Sequence, residues 1–256
     1  FGKQVKKVSK LKNKLLINFN DNTNDLVDYI IISDGVFSNT KSTVENNNIK
    51  PIYNGSIAIR TIITNTENLP YDKKNISLIM LKKAHIVIYP INKEGELNLV
   101  CIIRQKLPEK LDLNLLIKKE ILSQNSNLEK LFCNQLDYWP IYVTKKPHKS
   151  TYENLFYLGD AFYTFAPTMA QGASQSIESA YELFSLLSKD KKNLQDLYFK
   201  KRLERISLVN NRSKLNYYSF HLSNPLMIKT RNFILKKVMK SDLFLKSYLG
   251  NIYQRI

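Results

Sequence analysis

The sequence has 256 residues, 43% of them hydrophobic, so it can bury a sizeable core and is not disordered throughout. Thirty-nine Lys and Arg residues against 22 Asp and Glu give a net charge of +17, a common feature of proteins that bind nucleic acids or membrane surfaces. No stretch reaches the roughly 18 uninterrupted apolar residues of a membrane-spanning helix, and Cys101 and Cys133 lack the spacing of a metal site. The two lone thiols favour a cytoplasmic location. Because the chain begins with Phe1 rather than Met, we expect it to be the later part of a longer or processed polypeptide.

Residues 11–33 predict a hairpin whose strands are Leu15–Phe19 and Tyr29–Ile32. The second run is apolar at every position, which is typical of a strand buried on both faces of an α/β sheet. Polarity returns abruptly at 33–35, the sequence Ser-Asp-Gly. We therefore expect residues 1–45 to form part of an α/β domain with Asp34 and Gly35 at a strand end.

Residues 46–149 predict a separate domain, a mostly antiparallel sheet with a helix over 109–134. A hairpin loop is expected at Asn92–Gly95. The candidate strands of this domain are Ser56–Ile63, Ser77–Leu81, His85–Ile91 and Leu97–Arg104.

Residues 150–190 return to the first pattern, with a buried strand over Asn154–Leu158 that ends at Gly159-Asp160. A helix follows over 171–188, and residues 191–256 predict C-terminal helices, among them a basic amphipathic helix over 229–247. Apolar residues spaced by three and four place one face of the 171–188 helix in the core: Ala173, Ile177, Ala180, Phe184 and Leu187.

Two buried strands thus end in an aspartate beside a glycine, at Asp34 and at Asp160. In open α/β sheets, ligands bind beyond the carboxyl ends of the strands, where a carboxylate can accept hydrogen bonds from ribose or ribityl hydroxyls. The helix that starts at Gln171–Ser174 presents free N–H groups and a positive dipole end. The alternative is that Asp160 is a turn residue and Gly172 a cap.

The segments around Asp160 resemble a known family. Phe156–Ala161 and Ala166–Ala180 are similar to the Gly-Asp motif and following helix of the FAD-dependent aromatic hydroxylases, which include salicylate-hydroxylase-like and ubiquinone-biosynthesis enzymes. Asp28–Ser38 resembles their Asp-Gly motif, with Lys41 where the family has Arg, and Tyr53–Arg60 resembles the strand that enters their substrate domain. The motifs occur in the family's order and cover almost the whole chain.

The resemblance implies roles for individual residues. Gly159 and Asp160 would bind the flavin ribityl chain, and Asp34 and Gly35 would support the FAD pyrophosphate and the approach of NAD(P)H. The flavin ring would lie against the backbone of Gln171, Gly172, Ala173 and Ser174. The substrate would contact Pro167, His85, Tyr89 and Arg60. Sheet packing is the alternative for His85 and Tyr89, and a surface salt bridge the alternative for Arg60.

The predicted fold class is α/β, an incomplete Rossmann-like FAD-binding domain with an inserted α+β substrate domain and C-terminal helices. The predicted function is that of an FAD-dependent monooxygenase that uses NAD(P)H and O₂ to hydroxylate an aromatic or quinone-like small molecule. The sequence contains no Gly-x-Gly-x-x-Gly motif, so we expect on the order of 100 upstream residues, with the first βαβ unit, to be missing. We therefore expect this chain alone to bind FAD weakly or not at all.

Two alternatives remain open at this stage. One keeps the fold but changes the reaction, to a flavin reductase or an epoxidase acting on isoprenoids. Another is a non-catalytic remnant with a basic tail that associates with membranes. The basic C-terminal segment suits either a peripheral membrane contact or a solvated face in a Lys-rich protein. No motif of a nucleic-acid-binding fold is present, so no nucleic-acid partner is predicted.

Overall fold

A computed structural model describes residues 2–47, 49–66, 69–72, 74–92, 95–107, 109–189, 193–250 and 252. The strands are β1 (Val5–Leu11), β2 (Lys14–Phe19), β3 (Asn24–Val27), β4 (Ile30–Ile32), β5 (Ile52–Ile63), β6 (Ser77–Leu81), β7 (Ala84–Pro90), β8 (Leu97–Arg104), β9 (Asp137–Val143) and β10 (Leu155–Tyr157). The α-helices are α1 (Asn39–Val44), α2 (Leu113–Ile117), α3 (Gly159–Phe162), α4 (Gly172–Leu187), α5 (Leu194–Phe220), α6 (Pro225–Val238) and α7 (Asp242–Gly250). Short 3₁₀ and π segments occupy Ser126–Phe132, Pro167–Met169 and Lys118–Leu122.

The chain forms two compact units. The first unit comprises Phe1–Ile52, Tyr142–Lys214 and Ile252–Ile256, and the second comprises Tyr53–Ile141 and Leu215–Asn251. Strands, helices and an antiparallel sheet together confirm the predicted mixed α/β class with C-terminal helices. The domain boundaries drawn from the sequence stay predictions.

The first unit contains a three-stranded antiparallel sheet, β1-β2-β3, and a parallel pair of β4 with β10. The predicted partner of β2 was wrong, because β2 pairs with β3 and the run at Tyr29–Ile32 belongs to the other sheet. The chain reverses direction directly after β2, in a turn where Asp21 accepts hydrogen bonds from the Thr23 backbone N–H (3.0 Å) and hydroxyl (2.6 Å). Burial of that run on both faces was also wrong, because Ile31 is 50% exposed.

The second unit is built on a five-stranded sheet of order β6-β7-β8-β5-β9. The strands expected at Ser77–Leu81 and Leu97–Arg104 are confirmed with the same bounds. Alternate residues of the sheet point into a core closed by the helical segments over 113–132, which is the period-two pattern of strands covered on one face. The fully buried members of this core include Ile57, Ile59, Ile86, Ile88, Leu99, Cys101 and Ile103. Lys93 and Glu94 of the predicted hairpin loop lie outside the described residues.

Helix α4 buries a different face from the one predicted. Ile177 and Phe184 are 64% and 65% exposed. The buried face is instead more polar and consists of Gln175, Ser179, Leu183 and Leu186. The spacing of apolar residues does not predict this face, because polar side chains can also be buried when they are hydrogen-bonded. Gln175, for example, accepts a hydrogen bond from Arg202 of α5.

The C-terminal segment was predicted as one helix over 229–247, and this prediction was wrong. The structure divides it into α6, which ends at Val238, and α7, which begins at Asp242. Several large apolar side chains of these helices are exposed, among them Leu226, Phe233 and Leu243. Among the described residues, no helix combines the length and hydrophobicity needed to cross a bilayer.

Candidate functional site

The two strand-end aspartates follow strands that are paired in parallel. Ile32 lies opposite Tyr157 in the ladder, and the Leu158 N–H donates to the Ile32 carbonyl at 2.9 Å. Both chain segments therefore leave the pair at the same, carboxyl edge, which is where α/β sheets bind ligands. This arrangement brings the segments that carry Asp34 and Asp160 to one edge of the first unit.

A buried lysine links these two segments. Lys41 on α1 is 4% exposed, and its Nζ donates a 2.6 Å hydrogen bond to the Ala161 carbonyl, next to Asp160. Burial lowers the pKa of Lys41, and the nearby Asp34 carboxylate partly offsets this effect. Asp34 is itself exposed and accepts a hydrogen bond from the Thr40 N–H at 3.2 Å. Lys41 therefore fixes the Asp160 turn to α1.

Asp160 is a half-buried carboxylate that is open to a ligand. Within the part of the chain that the structure describes, no donor contacts its carboxylate, and only its backbone carbonyl is bonded, to the Thr164 hydroxyl at 3.0 Å. Burial raises the pKa of Asp160. A carboxylate that is partly removed from water without donors of its own gains from a ligand that supplies hydroxyl groups.

The N-terminus of α4 is open as well. The helix begins at Gly172, and the residue before it, Gln171, makes no side-chain capping bond. Gly172, Ala173 and Ser174 are exposed, so their N–H groups are accessible at the positive end of a helix of 16 residues. This terminus can stabilise negative charge on a bound group.

Gly159 is required by the packing of the Asp160 turn against α4. Its φ of +55° disfavours other residues, and a Cβ at this position would lie 2.6 Å from the Ser176 Oγ and 3.1 Å from its Cβ. We expect Gly159→Ala to lower the free energy of unfolding by about 1–3 kcal/mol in urea denaturation. Gly172→Ala is the matched control, since no atom lies within 4 Å of its Cβ position. An equal, small effect of both substitutions would contradict this explanation.

Three of the four predicted substrate residues share one face of the sheet in the second unit. His85 lies opposite Ile102, and Ile102 opposite Ala58, while Tyr89 and Arg60 fall on the same side of the ladder. Arg60 is exposed, and its Nε donates to the Asn98 Oδ1 at 2.6 Å. Pro167, in the first unit, is exposed within a 3₁₀ turn. Roles for these residues in substrate binding stay predictions.

His85 contacts a second buried histidine. It is 1% exposed, and its Nδ1 lies 2.8 Å from the Nε2 of His221, which is 2% exposed. The Phe220 ring lies edge-on to His85 at 5.2 Å. Burial, followed by the partner ring, lowers the pKa of His85 to about 3, and burial, followed by Arg104, lowers that of His221 to about 4. The pair is therefore neutral at physiological pH, with one ring donating to the other.

This pair makes the stability of the second unit sensitive to acid. The unfolded chain protonates each ring near its usual pKa of 6.5, whereas the folded rings stay neutral until about pH 3 to 4. The free energy of unfolding should therefore fall as the pH drops below 6.5. Histidine ring signals in an NMR titration should stay at their neutral shifts down to about pH 5 for His85 and His221. A midpoint near the usual pKa for both residues would contradict this prediction.

Two further clusters were not predicted from the sequence. Glu45 accepts hydrogen bonds from Ser150 Oγ (2.6 Å), the Thr151 N–H (3.2 Å) and Tyr157 OH (2.5 Å), and His148 Nε2 lies 3.4 Å from it. The second cluster joins α4 to α5 through ion pairs that include those of Arg202 and Arg205 with Glu178. The partners are more than 20 residues apart in the chain, so no local spacing could have revealed them. His148 thus has a carboxylate neighbour in Glu45.

A basic cavity lies beside the Asp-Gly segment of the first unit. It has a volume of about 500 Å³. Lys41 forms part of its wall from α1, and Val36 borders it next to Gly35. The remaining basic residues on its wall are Lys50, Lys145, Lys146 and His148. This charge suits an anionic ligand.

Comparison with known proteins agrees with this geometry. The chain is 25% identical over 229 residues to an FAD-dependent monooxygenase, OpS4, of Beauveria bassiana, and the match covers 80% of this chain and 53% of that protein. The chain thus spans about half the length of this curated relative. The resemblance to FAD-dependent monooxygenases expected from the motifs is confirmed.

Solved structures share the fold. Klebsiella pneumoniae HpxO complexed with FAD and uric acid superposes with a TM-score of 0.83 at 15% identity, over 98% of this chain and 66% of that one. A salicylate hydroxylase substrate complex gives a TM-score of 0.76 at 16% identity, over 100% of this chain and 71% of that one. The family model of squalene epoxidase matches residues 27–223, more than half of the sequence. The chain therefore belongs to the squalene epoxidase family.

Proposed function

We propose that this chain is the part of an FAD-dependent monooxygenase that contacts the flavin ribityl chain and ring and carries the substrate-binding sheet. The observation that carries the proposal is the carboxyl edge of β4 and β10. There a half-buried carboxylate without donors, Asp160, is followed by the uncapped N-terminus of α4. The FAD-dependent relative and the fold shared with FAD complexes support it.

The residues present fit the flavin part of FAD. The Asp160 carboxylate would accept hydrogen bonds from ribityl hydroxyls. The N–H groups of Gly172, Ala173 and Ser174 would hold negative charge at the pyrimidine edge of the ring, and Pro167 would line the reactive side. The chemistry that FAD supplies when bound is electron transfer from NAD(P)H and activation of O₂.

The basic cavity beside Asp34 is the proposed contact for NAD(P)H. Its lysines would attract the phosphates of the dinucleotide, which carry negative charge at neutral pH. Of these lysines, Lys145 and Lys146 are exposed and free of the packing role that Lys41 has. Lys145→Gln/Lys146→Gln should therefore raise the KM for NAD(P)H more than Lys6→Gln/Lys7→Gln, which removes the same charge from β1 of the same unit.

An aromatic or quinone-like small molecule is the proposed substrate. The face of the sheet with Tyr89 and Arg60 offers a phenol hydroxyl and a guanidinium, groups that hydrogen-bond a phenolate or carboxylate. Of the three predicted residues on this face, Arg60 is the most accessible, while His85 is held by His221. The proposed reaction on this substrate is hydroxylation.

Epoxidation of an isoprenoid is the second candidate. The match to the squalene epoxidase family model over residues 27–223 favours it. The exposed apolar side chains of α6 and α7, with their lysines, would then serve a peripheral contact with the membrane that holds such a substrate. In vesicle sedimentation, Leu226→Asp/Phe233→Asp should release the protein from anionic vesicles. Equal binding of this variant and the wild type would contradict that contact.

One assay tests the proposed function and separates the two candidates. The 256-residue chain is supplied with FAD and NAD(P)H, and consumption of O₂ and NAD(P)H is followed with phenols and with isoprenoid alkenes. With FAD at a concentration high enough to load a weak site, we expect substrate-dependent consumption and a product that has gained one oxygen atom, a phenol or an epoxide according to the candidate. Consumption of NAD(P)H without an oxygenated product from either class would indicate a flavin reductase instead.

A further inference from the structure

A second basic cleft lies in the second unit, and none of its lining residues has a role in the proposed reaction. Its volume is about 830 Å³. Its walls are the start of β5 (Tyr53–Gly55), the β6–β7 turn at Lys83, the end of β8 with the residues after it (104–107), and Lys119 and Glu120. Ser223, before α6, completes it.

The charge of this cleft is strongly unbalanced. Four cationic side chains line it, Lys83, Arg104, Lys106 and Lys119, against the single carboxylate of Glu120. That carboxylate lies 3.9 Å from Lys119 Nζ. In the portion of the chain described, Lys83, Arg104 and Lys106 have no carboxylate within 4 Å. Like charges around one cavity repel, and an anion bound among them removes that repulsion.

The frame around these cations is fixed. Arg104 lies over the Tyr217 ring, 5.4 Å from its centre, and its backbone N–H donates to the Lys83 carbonyl at 2.8 Å. The Tyr53 hydroxyl donates to the Gln105 carbonyl at 2.5 Å. The guanidinium is thus held in place before a ligand arrives, which lowers the entropic cost of binding.

The start of β5, which lies beside Arg104 in the ladder, also suits a ligand. Gly55 has a φ of +82°, and no atom lies within 4 Å of the position of a Cβ, so the space beside its Cα is open. The Oδ1 of Asn54 is buried and has no hydrogen-bond partner among the described residues. An asparagine amide can turn to present its NH₂ group instead, and this group would donate to an anion.

We propose that this cleft binds a phosphate ester, with Arg104 and Lys106 as its principal contacts. A guanidinium takes two phosphate oxygens in a bidentate manner, and lysines add point charges. The same phosphate chemistry occurs in soluble phosphate esters and in the headgroups of anionic lipids.

Calorimetric titration of the full chain tests the proposal. The soluble probes are inorganic pyrophosphate and glycerol 3-phosphate. The lipid probes are phosphatidylcholine vesicles prepared with and without phosphatidate. Arg104→Gln/Lys106→Gln should weaken binding at least about tenfold. Lys110→Gln/Lys130→Gln, which removes the same charge from exposed positions of the same unit, should change it less than about twofold. The variant Lys106→Gln/Lys119→Gln removes two charges from the cleft but keeps the Arg104–Tyr217 contact. Loss of binding in this variant therefore cannot result from disruption of that contact.

Binding of the soluble probes with this pattern supports the proposal and identifies soluble esters as ligands. Binding only to vesicles that contain phosphatidate, with the same pattern among the variants, supports it with a lipid headgroup as the source. Absence of binding to every probe, or an equal loss in the Lys110→Gln/Lys130→Gln control, overturns it.

Discussion

Replacing Glu178 with alanine is expected to lower the free energy of unfolding by about 3–5 kcal/mol. Glu178 accepts hydrogen bonds from Arg205 Nε at 2.6 Å, Arg205 Nη2 at 2.9 Å and Arg202 Nη1 at 3.1 Å. Arg202 is 2% and Arg205 8% exposed. The substitution would leave a buried guanidinium without its bidentate carboxylate, which costs far more than the loss of a surface ion pair.

The electrostatics of Glu178 agree with this expectation. Burial raises its pKa, but the hydrogen bond and charge of Arg205, followed by those of Arg202, outweigh burial and lower the pKa overall. The carboxylate is therefore ionised and bonded in the folded state. It joins α4, whose N-terminus is part of the proposed flavin contact, to α5.

Urea denaturation followed by circular dichroism measures the effect. Glu204→Ala on α5 is the matched control, because Glu204 is exposed, and it should change the free energy of unfolding by less than about 0.5 kcal/mol. A loss of less than about 1 kcal/mol for Glu178→Ala would show that water or Glu182 replaces the pair.

Glu45→Gln is expected to produce the second largest loss, and one that depends on pH. Burial raises the pKa of Glu45, but hydrogen bonds from His148, Ser150, Tyr157 and Thr151 outweigh it and lower the pKa from 4.5 to about 2. A shift of this size corresponds to about 3 kcal/mol of stability. Because the folded-state pKa is the lower one, this contribution is present above pH 4.5 and is lost as the pH falls toward 2.

The free energy of unfolding of the wild type and of Glu45→Gln should therefore differ most at about pH 6 and converge at about pH 2.5. The histidine pair is present in both proteins, so its acid sensitivity cancels in the difference. An equal difference in the free energy of unfolding between the two proteins at both pH values would contradict the role of the Glu45 charge.

The parts of the fold that local patterns encode were predicted well. The short apolar runs at Ser77–Leu81 and Leu97–Arg104 located β6 and β8 with their bounds. The aspartates after Ile32 and Leu158 were placed at strand ends, and the parallel pairing of those strands brings them to one edge. The fold and the family followed from motifs that are each contiguous in the chain.

Long-range polar contacts could not be predicted in this way. His85 and His221 are 136 residues apart in the chain, and Tyr157 lies 112 residues from Glu45. The buried face of α4 was misplaced for the same reason, since Gln175 is buried because it bonds Arg202 of α5. Such pairs depend on tertiary packing, which a single sequence does not display.

Titration of FAD into the 256-residue chain, followed by flavin fluorescence, tests most directly whether Asp160 and the α4 N-terminus form a flavin contact. We expect the wild type to bind FAD weakly. Asp160→Asn should bind at least about tenfold more weakly, because a charged hydrogen-bond acceptor is lost. The control Asp25→Asn, at an exposed position, should bind FAD as the wild type does. Measurable binding with equal affinity of Asp160→Asn and the wild type would contradict the assignment.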